Sequence, residues 1–245
     1  MTGKLKILGL HGHAQDAEVF RRKTGGLRGA VKSIAEFDFL SAPHKVERGE
    51  DGDEVGYSWY RYDSGMETLT ISLRQSLDEI NSIFKAKGPF DGIFAFSQGS
   101  SLAILLAALQ SEQDTPLAKA LRGEPFPVLE DRKALASKKT KFQFPLGRIA
   151  DAIPEVSFRF IAIFAGFLPR DEPFRSLVTE SSPPVNSFHC YGEKDQIITK
   201  EMSQDAAHVF KQRTVEMHGG GHFVPSSSGV RKAFKSFMQS QVHPS

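Results

Sequence analysis

The sequence predicts an α/β fold with a mostly parallel central sheet flanked by helices. Short apolar runs alternate with helical patterns along the 245 residues, and one run ends at a serine within a turn-forming motif. Such alternation is typical of βα units. Because 40% of the residues are hydrophobic, a chain of this length can bury a sizeable core. We therefore expect a single domain over residues 1–245.

Six short apolar runs are the predicted strands. In chain order they are residues 5–10, 37–40, 93–96, 158–165, 188–191 and 215–217. Helical segments separate most of these runs, so crossover connections are expected. Strands that are joined in this way pair in parallel.

Three helices follow from the spacing of apolar residues. Between the second and third runs, leucine, isoleucine and phenylalanine recur every three or four residues, which places them on one helix face that ends before Gly88-Pro89. The residues of that face are Leu69, Leu73, Leu77, Ile80 and Phe84. A second helix follows Ser97 and is rich in alanine, which allows close packing. Val230, Phe234 and Phe237 predict a terminal amphipathic helix.

Two segments depart from the alternation. Residues 43–64 predict a long loop, because glycines and acids precede Ser58-Trp59-Tyr60, and loops of that length are usually functional. Residues 111–157 combine prolines with a basic stretch at 132–141, which indicates an excursion inserted between sheet elements. That excursion is either a lid over the active site or a solvated surface insertion. We expect the pocket walls to come from Ser58-Trp59-Tyr60, Phe167-Leu168 and this excursion.

Charge and cysteine content restrict the partners and the compartment. The 31 basic and 29 acidic side chains leave a net charge of +2, so the sequence predicts neither nucleic acid nor an acidic membrane surface as a partner. The single cysteine, Cys190, excludes an internal disulfide framework and favours a reducing compartment, the cytoplasm or the nucleus. No run approaches the roughly 18 apolar residues that a membrane span needs. A small, nearly neutral substrate is expected.

The motif Ala95-Phe96-Ser97-Gln98-Gly99 is the most informative part of the chain. It follows a continuous apolar run and is nearly a nucleophile elbow. In such an elbow a strand ends in a sharp turn, the serine side chain stands at its apex, and the next backbone N–H points toward the developing oxyanion. The elbow usually begins with glycine, so Ala95 puts the efficiency of catalysis in question.

An elbow serine requires an acid and then a histidine further along the chain. The hydroxyl needs a base within hydrogen-bond reach, and the base needs a group that fixes its tautomer. Asp195 lies in a turn after a predicted strand, and His222 follows three glycines after another. Ser97, Asp195 and His222 therefore predict a catalytic triad in the expected order. Glu193 remains an alternative to Asp195, and His218 to His222, although His218 still belongs to the predicted strand.

The oxyanion hole of such a site needs two backbone donors. One is the N–H of Gln98, which follows the nucleophile. The turn after the first strand, Leu10-His11-Gly12-His13, supplies the second candidate, because Gly12 permits a close approach and the His13 N–H follows it.

The same turn also allows a zinc site. His11 and His13, with Asp16 nearby and with His218 and His222, offer imidazole and carboxylate ligands of the kind that zinc takes. No histidine directly follows Asp16, however, as the HxHxDH pattern of one metallohydrolase family would require. A zinc site would also leave the elbow unexplained.

Several motifs together resemble one known family over nearly the whole chain. Besides the elbow they include Leu10-His11-Gly12-His13-Ala14-Gln15, Lys23-Thr24-Gly25-Gly26-Leu27-Arg28, Gly88-Pro89-Phe90-Asp91-Gly92, Gly192-Glu193-Lys194-Asp195 and Gly220-Gly221-His222-Phe223-Val224-Pro225. The pattern is similar to the FSH family of serine hydrolases. The resemblance implies an α/β-hydrolase fold without cofactor, and Ser97, Asp195 and His222 as the triad.

The family resemblance also implies a reaction. It implies cleavage of carboxylic esters, often alkyl or acyl-chain esters, through an acyl-enzyme, with a small-molecule ester or thioester as the partner. Some fungal members of the family are thioesterases, so an acyl thioesterase or a protein deacylase is the alternative. A second alternative is a binding module that has kept the fold and lost the activity.

Overall fold

Eight strands occur in the computed structural model, which describes residues 3–48, 54–62, 65–110 and 156–242. They are β1 (Leu5–Leu10), β2 (Ala35–Leu40), β3 (His44–Arg48), β4 (Glu54–Ser58), β5 (Gly92–Phe96), β6 (Phe160–Phe164), β7 (Asn186–Gly192) and β8 (Arg213–His218). Six of them form one sheet in the order β2-β1-β5-β6-β7-β8, and every neighbouring pair is parallel. The predicted parallel sheet is confirmed.

Seven helices lie within the described residues. They are α1 (Ala17–Lys23), α2 (Gly25–Ala30), α3 (Gly65–Lys87), α4 (Gln98–Leu109), α5 (Glu172–Ser181), α6 (Lys200–His208) and α7 (Ser228–Val242). The three helices predicted from apolar spacing correspond to α3, α4 and α7. Helices α1 and α6 begin at polar caps, since the Asp16 carboxylate accepts the Val19 N–H and the Thr199 hydroxyl accepts the Met202 N–H.

Apolar side chains cover both faces of the sheet. Ile93 and Ala95 of β5 point into a core formed with α3, α4 and α5, whereas Phe94 and Phe96 point into a second core with α1, α2 and α7. All five residues of β5 are buried. Burial on both faces explains why the inner strands appear in the sequence as continuous apolar runs rather than as alternating patterns.

The prediction of a loop over residues 43–64 is wrong where β3 and β4 form an antiparallel ribbon. Charged residues such as Lys45 and Glu47 alternate with Val46 along β3, and this exposed, polar face concealed the strand in the sequence. The ribbon packs on the turn after β1, where the Tyr57 N–H donates to the Gln15 carbonyl oxygen at 2.8 Å. A side chain at Gly56 would collide with the backbone of Ala14, so this contact requires glycine.

The excursion predicted around residues 111–157 lies outside the described residues except for its last two positions. Val156, at the end of that segment, is buried against the core of α3, α4 and α5. No helix in the described part of the chain combines the length and the apolar character that crossing a membrane requires.

Candidate active site

Ser97 occupies the sharp turn between β5 and α4. Its backbone angles, φ 51° and ψ −117°, lie outside the regions that L residues ordinarily adopt. Surrounding hydrogen bonds hold this conformation: the Ser97 N–H donates to Phe164 O at 2.9 Å, and the Ser97 carbonyl oxygen accepts the N–H groups of Ser100 and Ser101. The serine side chain is thereby presented at the carboxyl edge of the sheet, as in a nucleophile elbow.

The two ends of the elbow motif have different steric requirements. At Gly99 a β carbon would lie 2.5 Å from the carbonyl oxygens of both Leu10 and His11, so glycine is required there. Ala95 instead packs fully buried in the core of α3, α4 and α5, and Ser97 still adopts the elbow conformation. Alanine at position 95 is therefore compatible with the turn.

His222 links Ser97 to Asp195. Its Nε2 lies 3.0 Å from Ser97 Oγ, and its Nδ1 lies 2.8 Å from Asp195 Oδ2. A carboxylate only accepts, so the geometry corresponds to an imidazole that donates through Nδ1 and accepts the serine hydroxyl through Nε2. Ser97, Asp195 and His222 follow β5, β7 and β8, and the parallel sheet brings these three strand ends to one edge.

Backbone donors fix the orientation of the Asp195 carboxylate. Its Oδ1 accepts the N–H groups of Ile197 and Ile198, both at 2.9 Å, while Oδ2 faces His222. The Asp195 side chain is fully buried, and that of His222 is 17% exposed. Because both Asp195 oxygens are occupied, the carboxylate has a single orientation toward the imidazole.

The alternative residues do not join this arrangement. Glu193 is exposed, and the structure places Asp195, rather than Glu193, against His222. The His218 ring contacts the Phe223 ring in a tilted arrangement at a centroid distance of 5.0 Å, and its Nδ1 accepts the Gly220 N–H. Burial lowers the pKa of His218 despite the opposing effect of Asp195.

Cys190, the single cysteine of the chain, is buried in β7. Burial and the nearby Glu216 carboxylate raise the pKa of its thiol to about 12, so the thiol stays protonated at neutral pH.

The turn after β1 lies directly against the elbow. A β carbon at Gly12 would lie 2.8 Å from Phe96 Cδ1 and 3.3 Å from Ser97 Cβ, so only glycine allows this approach. His13 directly follows Gly12 in the chain. Burial lowers the pKa of the His13 imidazole.

His11 forms part of a buried network behind this turn. With 0% exposure, it donates through Nδ1 to the Gly12 carbonyl oxygen at 2.7 Å and accepts the Ala42 N–H through Nε2 at 2.9 Å. Only this tautomer satisfies both partners, so the imidazole is neutral. Trp59 stacks on the His11 ring at a centroid distance of 5.0 Å, and its Nε1–H donates to the His11 carbonyl oxygen at 2.8 Å.

The Gln98 side chain ties the elbow to the same network. Its Oε1 accepts the Trp59 N–H, and its Nε2 donates to the Tyr60 carbonyl oxygen, both at 2.9 Å. The supporting roles of His11 and Trp59 were not predicted from the sequence. Their only signals were the position of His11 beside Gly12 and the fact that Trp59 is the one tryptophan of the chain.

Metal binding finds no support in the parts of the chain that the structure describes. No group of three or more histidine, cysteine, aspartate or glutamate side chains is arranged there to hold an ion. The imidazole nitrogens of His11 are engaged with Gly12 and Ala42, and those of His222 with Asp195 and Ser97.

Comparison with known proteins identifies the family. A family model described as serine hydrolase (FSH1) matches residues 1–234. The chain belongs to the FSH1 serine hydrolase family. Esterase C25G4.2 of Caenorhabditis elegans is 30% identical over 98% of this chain and 95% of its own length, and esterase OVCA2 of Danio rerio is 28% identical over 96% of both chains.

Solved structures that resemble this serine hydrolase confirm the fold. Acyl-protein thioesterase 2 of Zea mays superposes with a TM-score of 0.61 at 13% identity, over 99% of this chain and 95% of its own. SOBER1 of Arabidopsis thaliana gives 0.59 at 17% identity, over 98% of this chain and 100% of its own. At such low identity the likeness establishes the α/β-hydrolase fold, which agrees with the prediction from sequence.

Two cavities lie near the elbow of the serine hydrolase. The first, of about 20 Å³, is lined mainly by apolar residues of α3, α4 and α5 and by Tyr60. Burial raises the pKa of Tyr60 to about 12. The second, of about 190 Å³, is lined by Gln15, Phe20, Lys23, Phe96, His222, Phe223 and Val224. Of the described pocket walls predicted from sequence, Tyr60 lines the first cavity. Ser58, Trp59, Phe167 and Leu168 are buried and line neither cavity.

Proposed function

We propose that this FSH1 family member hydrolyses carboxylic esters through an acyl-enzyme formed on Ser97. The observation that carries the proposal is the continuous hydrogen-bonded chain from Asp195 through His222 to Ser97. A serine alone is a weak nucleophile at neutral pH, and an imidazole at 3.0 Å can remove its proton as it attacks.

The proposed reaction begins when Ser97 Oγ attacks the ester carbonyl carbon and His222 Nε2 takes the hydroxyl proton. The tetrahedral intermediate collapses as Nε2 returns this proton to the departing alkoxide, which leaves an acylated Ser97. Water then attacks the acyl-enzyme with His222 again as base, and the acid is released. Asp195 holds the imidazole in the tautomer that accepts at Nε2 and stabilises the imidazolium formed in each half-reaction.

The Gln98 and His13 N–H groups are the proposed oxyanion donors. Gln98 is the first residue of α4, where N–H groups lack partners within the helix and the helix dipole favours negative charge. The His13 N–H belongs to the peptide unit whose carbonyl is that of Gly12. Because the two groups of a trans peptide point in opposite directions, the bond from His11 to Gly12 O directs the His13 N–H away from His11.

His11 is therefore a positioning residue whose Nδ1–H bond can be tested with a matched pair of variants. His11→Leu removes the bond to Gly12 O, whereas His11→Asn retains an N–H donor on the same side-chain carbon. Removal of one oxyanion donor costs about 100- to 1000-fold in kcat, so a misaligned donor should lower kcat of His11→Leu by about 10- to 100-fold with KM unchanged. Steady-state kinetics measures both constants.

Both variants leave the Ala42 N–H without its imidazole acceptor, so they share this structural cost. His11→Asn should recover most of the kcat that His11→Leu loses, while the two have similar melting temperatures. If kcat is equal in the two variants, the bond to Gly12 O has no part in catalysis.

A thioesterase is the second candidate, because the same residues cleave both bonds and acyl-protein thioesterase 2 of Zea mays has the same fold. Comparison of kcat/KM for p-nitrophenyl esters, acyl-coenzyme A and acylated peptides tests the proposal. We expect the esters to have the highest values. A higher value for thioesters would reassign the substrate class, and no turnover of any substrate would favour the binding module.

A further inference from the structure

We propose that the second cavity binds the leaving group of the substrate and selects an apolar leaving group that carries an anionic end near Lys23. This inference rests on the proposed ester hydrolysis and specifies the alcohol part of the substrate. The cavity is the space of about 190 Å³ that contacts His222.

Proton transfer determines which part of the substrate faces this cavity. His222 Nε2 must come within hydrogen-bond reach of the leaving-group oxygen, because it returns the Ser97 proton to that atom. Of the two cavities near the elbow, only the second is lined by His222. The alcohol or phenol that departs from the acyl carbon therefore enters the second cavity.

Aromatic rings make the body of this cavity apolar. The Phe96 ring contacts the His222 ring at a centroid distance of 4.8 Å, and the Phe20 ring lies 6.5 Å from that of Phe96. Phe223 also lines the cavity and is 50% exposed, so an apolar ligand would remove this ring from water. Ligand sites of this kind combine apolar walls with a few polar groups that fix orientation.

Lys23 provides the charge. Among the lining residues that the structure describes, Lys23 is the one with a permanent charge, and none of them carries a carboxylate. Lys23 forms no ion pair with any residue that the structure describes, whereas Arg21 on the same helix faces Glu18 at 3.7 Å. Gln15 adds an amide to the same lining. An ammonium group at the edge of an aromatic cavity favours a leaving group that ends in a carboxylate or a phosphate.

Two acetate esters that differ mainly in charge test this inference. 4-Acetoxybenzoate and 4-acetoxybenzamide have the same acyl group and leaving phenols of similar size. Division of each kcat/KM by the rate constant of hydroxide-catalysed hydrolysis corrects for the intrinsic reactivity of the ester. An exposed ion pair contributes up to about 1 kcal/mol, so we expect the corrected kcat/KM to favour the anionic ester by about 3- to 5-fold at low salt. Lys23→Met should abolish this ratio, and Lys23→Glu should invert it.

Arg22→Met is the matched control, because it removes an equal charge from the neighbouring position of α1, which does not line the cavity. It should retain the wild-type ratio. If Arg22→Met and Lys23→Met lose the preference for the anionic ester equally, the preference comes from net charge and the proposed subsite is overturned. A wild-type ratio of one would also overturn it, although turnover of both esters would leave the proposed ester hydrolysis intact. Absence of any turnover would overturn both proposals.

Discussion

Ser97→Ala is expected to lower ester kcat/KM by about a million-fold, which corresponds to near-background turnover. The variant has no oxygen that can form the acyl-enzyme, so the remaining site can only polarise the carbonyl. The hydrogen bond from the backbone of residue 97 to Phe164 O does not involve the side chain, and the fold should therefore persist. Hydrolysis of a p-nitrophenyl ester measures the activity, and thermal unfolding checks the fold.

Ser101→Ala is the matched control for Ser97→Ala. Ser101 lies one helical turn further along α4, is also buried, and lines the first cavity rather than contacting His222. This variant should keep kcat of the same order as the wild type. Ser97→Ala protein that folds and still turns over the ester at a substantial rate would show that another group is the nucleophile.

Asp195→Asn is expected to lower kcat by about 10,000-fold with little change in KM. The Asn oxygen can still accept the N–H groups of Ile197 and Ile198, which directs the amide NH₂ group toward His222. His222 Nδ1 must then accept rather than donate, so Nε2 carries the proton and cannot remove that of Ser97. Steady-state kinetics gives the separate changes in kcat and KM.

Glu193→Gln is the matched control for Asp195→Asn, because Glu193 is the acid that sequence reasoning left as an alternative and it is exposed. Its activity should equal that of the wild type. Both variants should have melting temperatures close to that of the wild type. In Asp195→Asn the side-chain oxygen still accepts the N–H groups of Ile197 and Ile198. Loss of kcat in Glu193→Gln combined with normal kcat in Asp195→Asn would move the orienting role to Glu193.

The inner strands were predictable because burial on both faces leaves a continuous apolar signal. The edge strands β2 and β8 are longer than their predicted runs, since exposed positions such as Arg213 and Glu36 interrupt the apolar pattern. Helix α1 was not predicted because Phe20 is its one buried residue, which is too few to establish a period. The β3–β4 ribbon was missed because its strands are short and lie among glycines and acids, a composition that is typical of loops.

The three residues that meet at the candidate site were predictable from chain order, because parallel strands bring their carboxyl ends to one edge. The supporting network around His11 and Trp59 could not be predicted from the sequence. Trp59 and His11 are separated by 48 residues, and their contact depends on how the β3–β4 ribbon packs against the turn after β1. The aromatic cavity beside Lys23 likewise combines side chains from both ends of the chain, which no local pattern indicates.

Mapping of a fluorophosphonate adduct tests the central claim most directly. Such a probe reacts covalently with an activated serine, so digestion of the labelled protein and mass spectrometry identify the nucleophile. We expect one adduct, on Ser97, and no adduct in Ser97→Ala protein. An adduct on another residue, or no adduct on folded protein with the wild-type sequence, would contradict the assignment of Ser97 as the nucleophile.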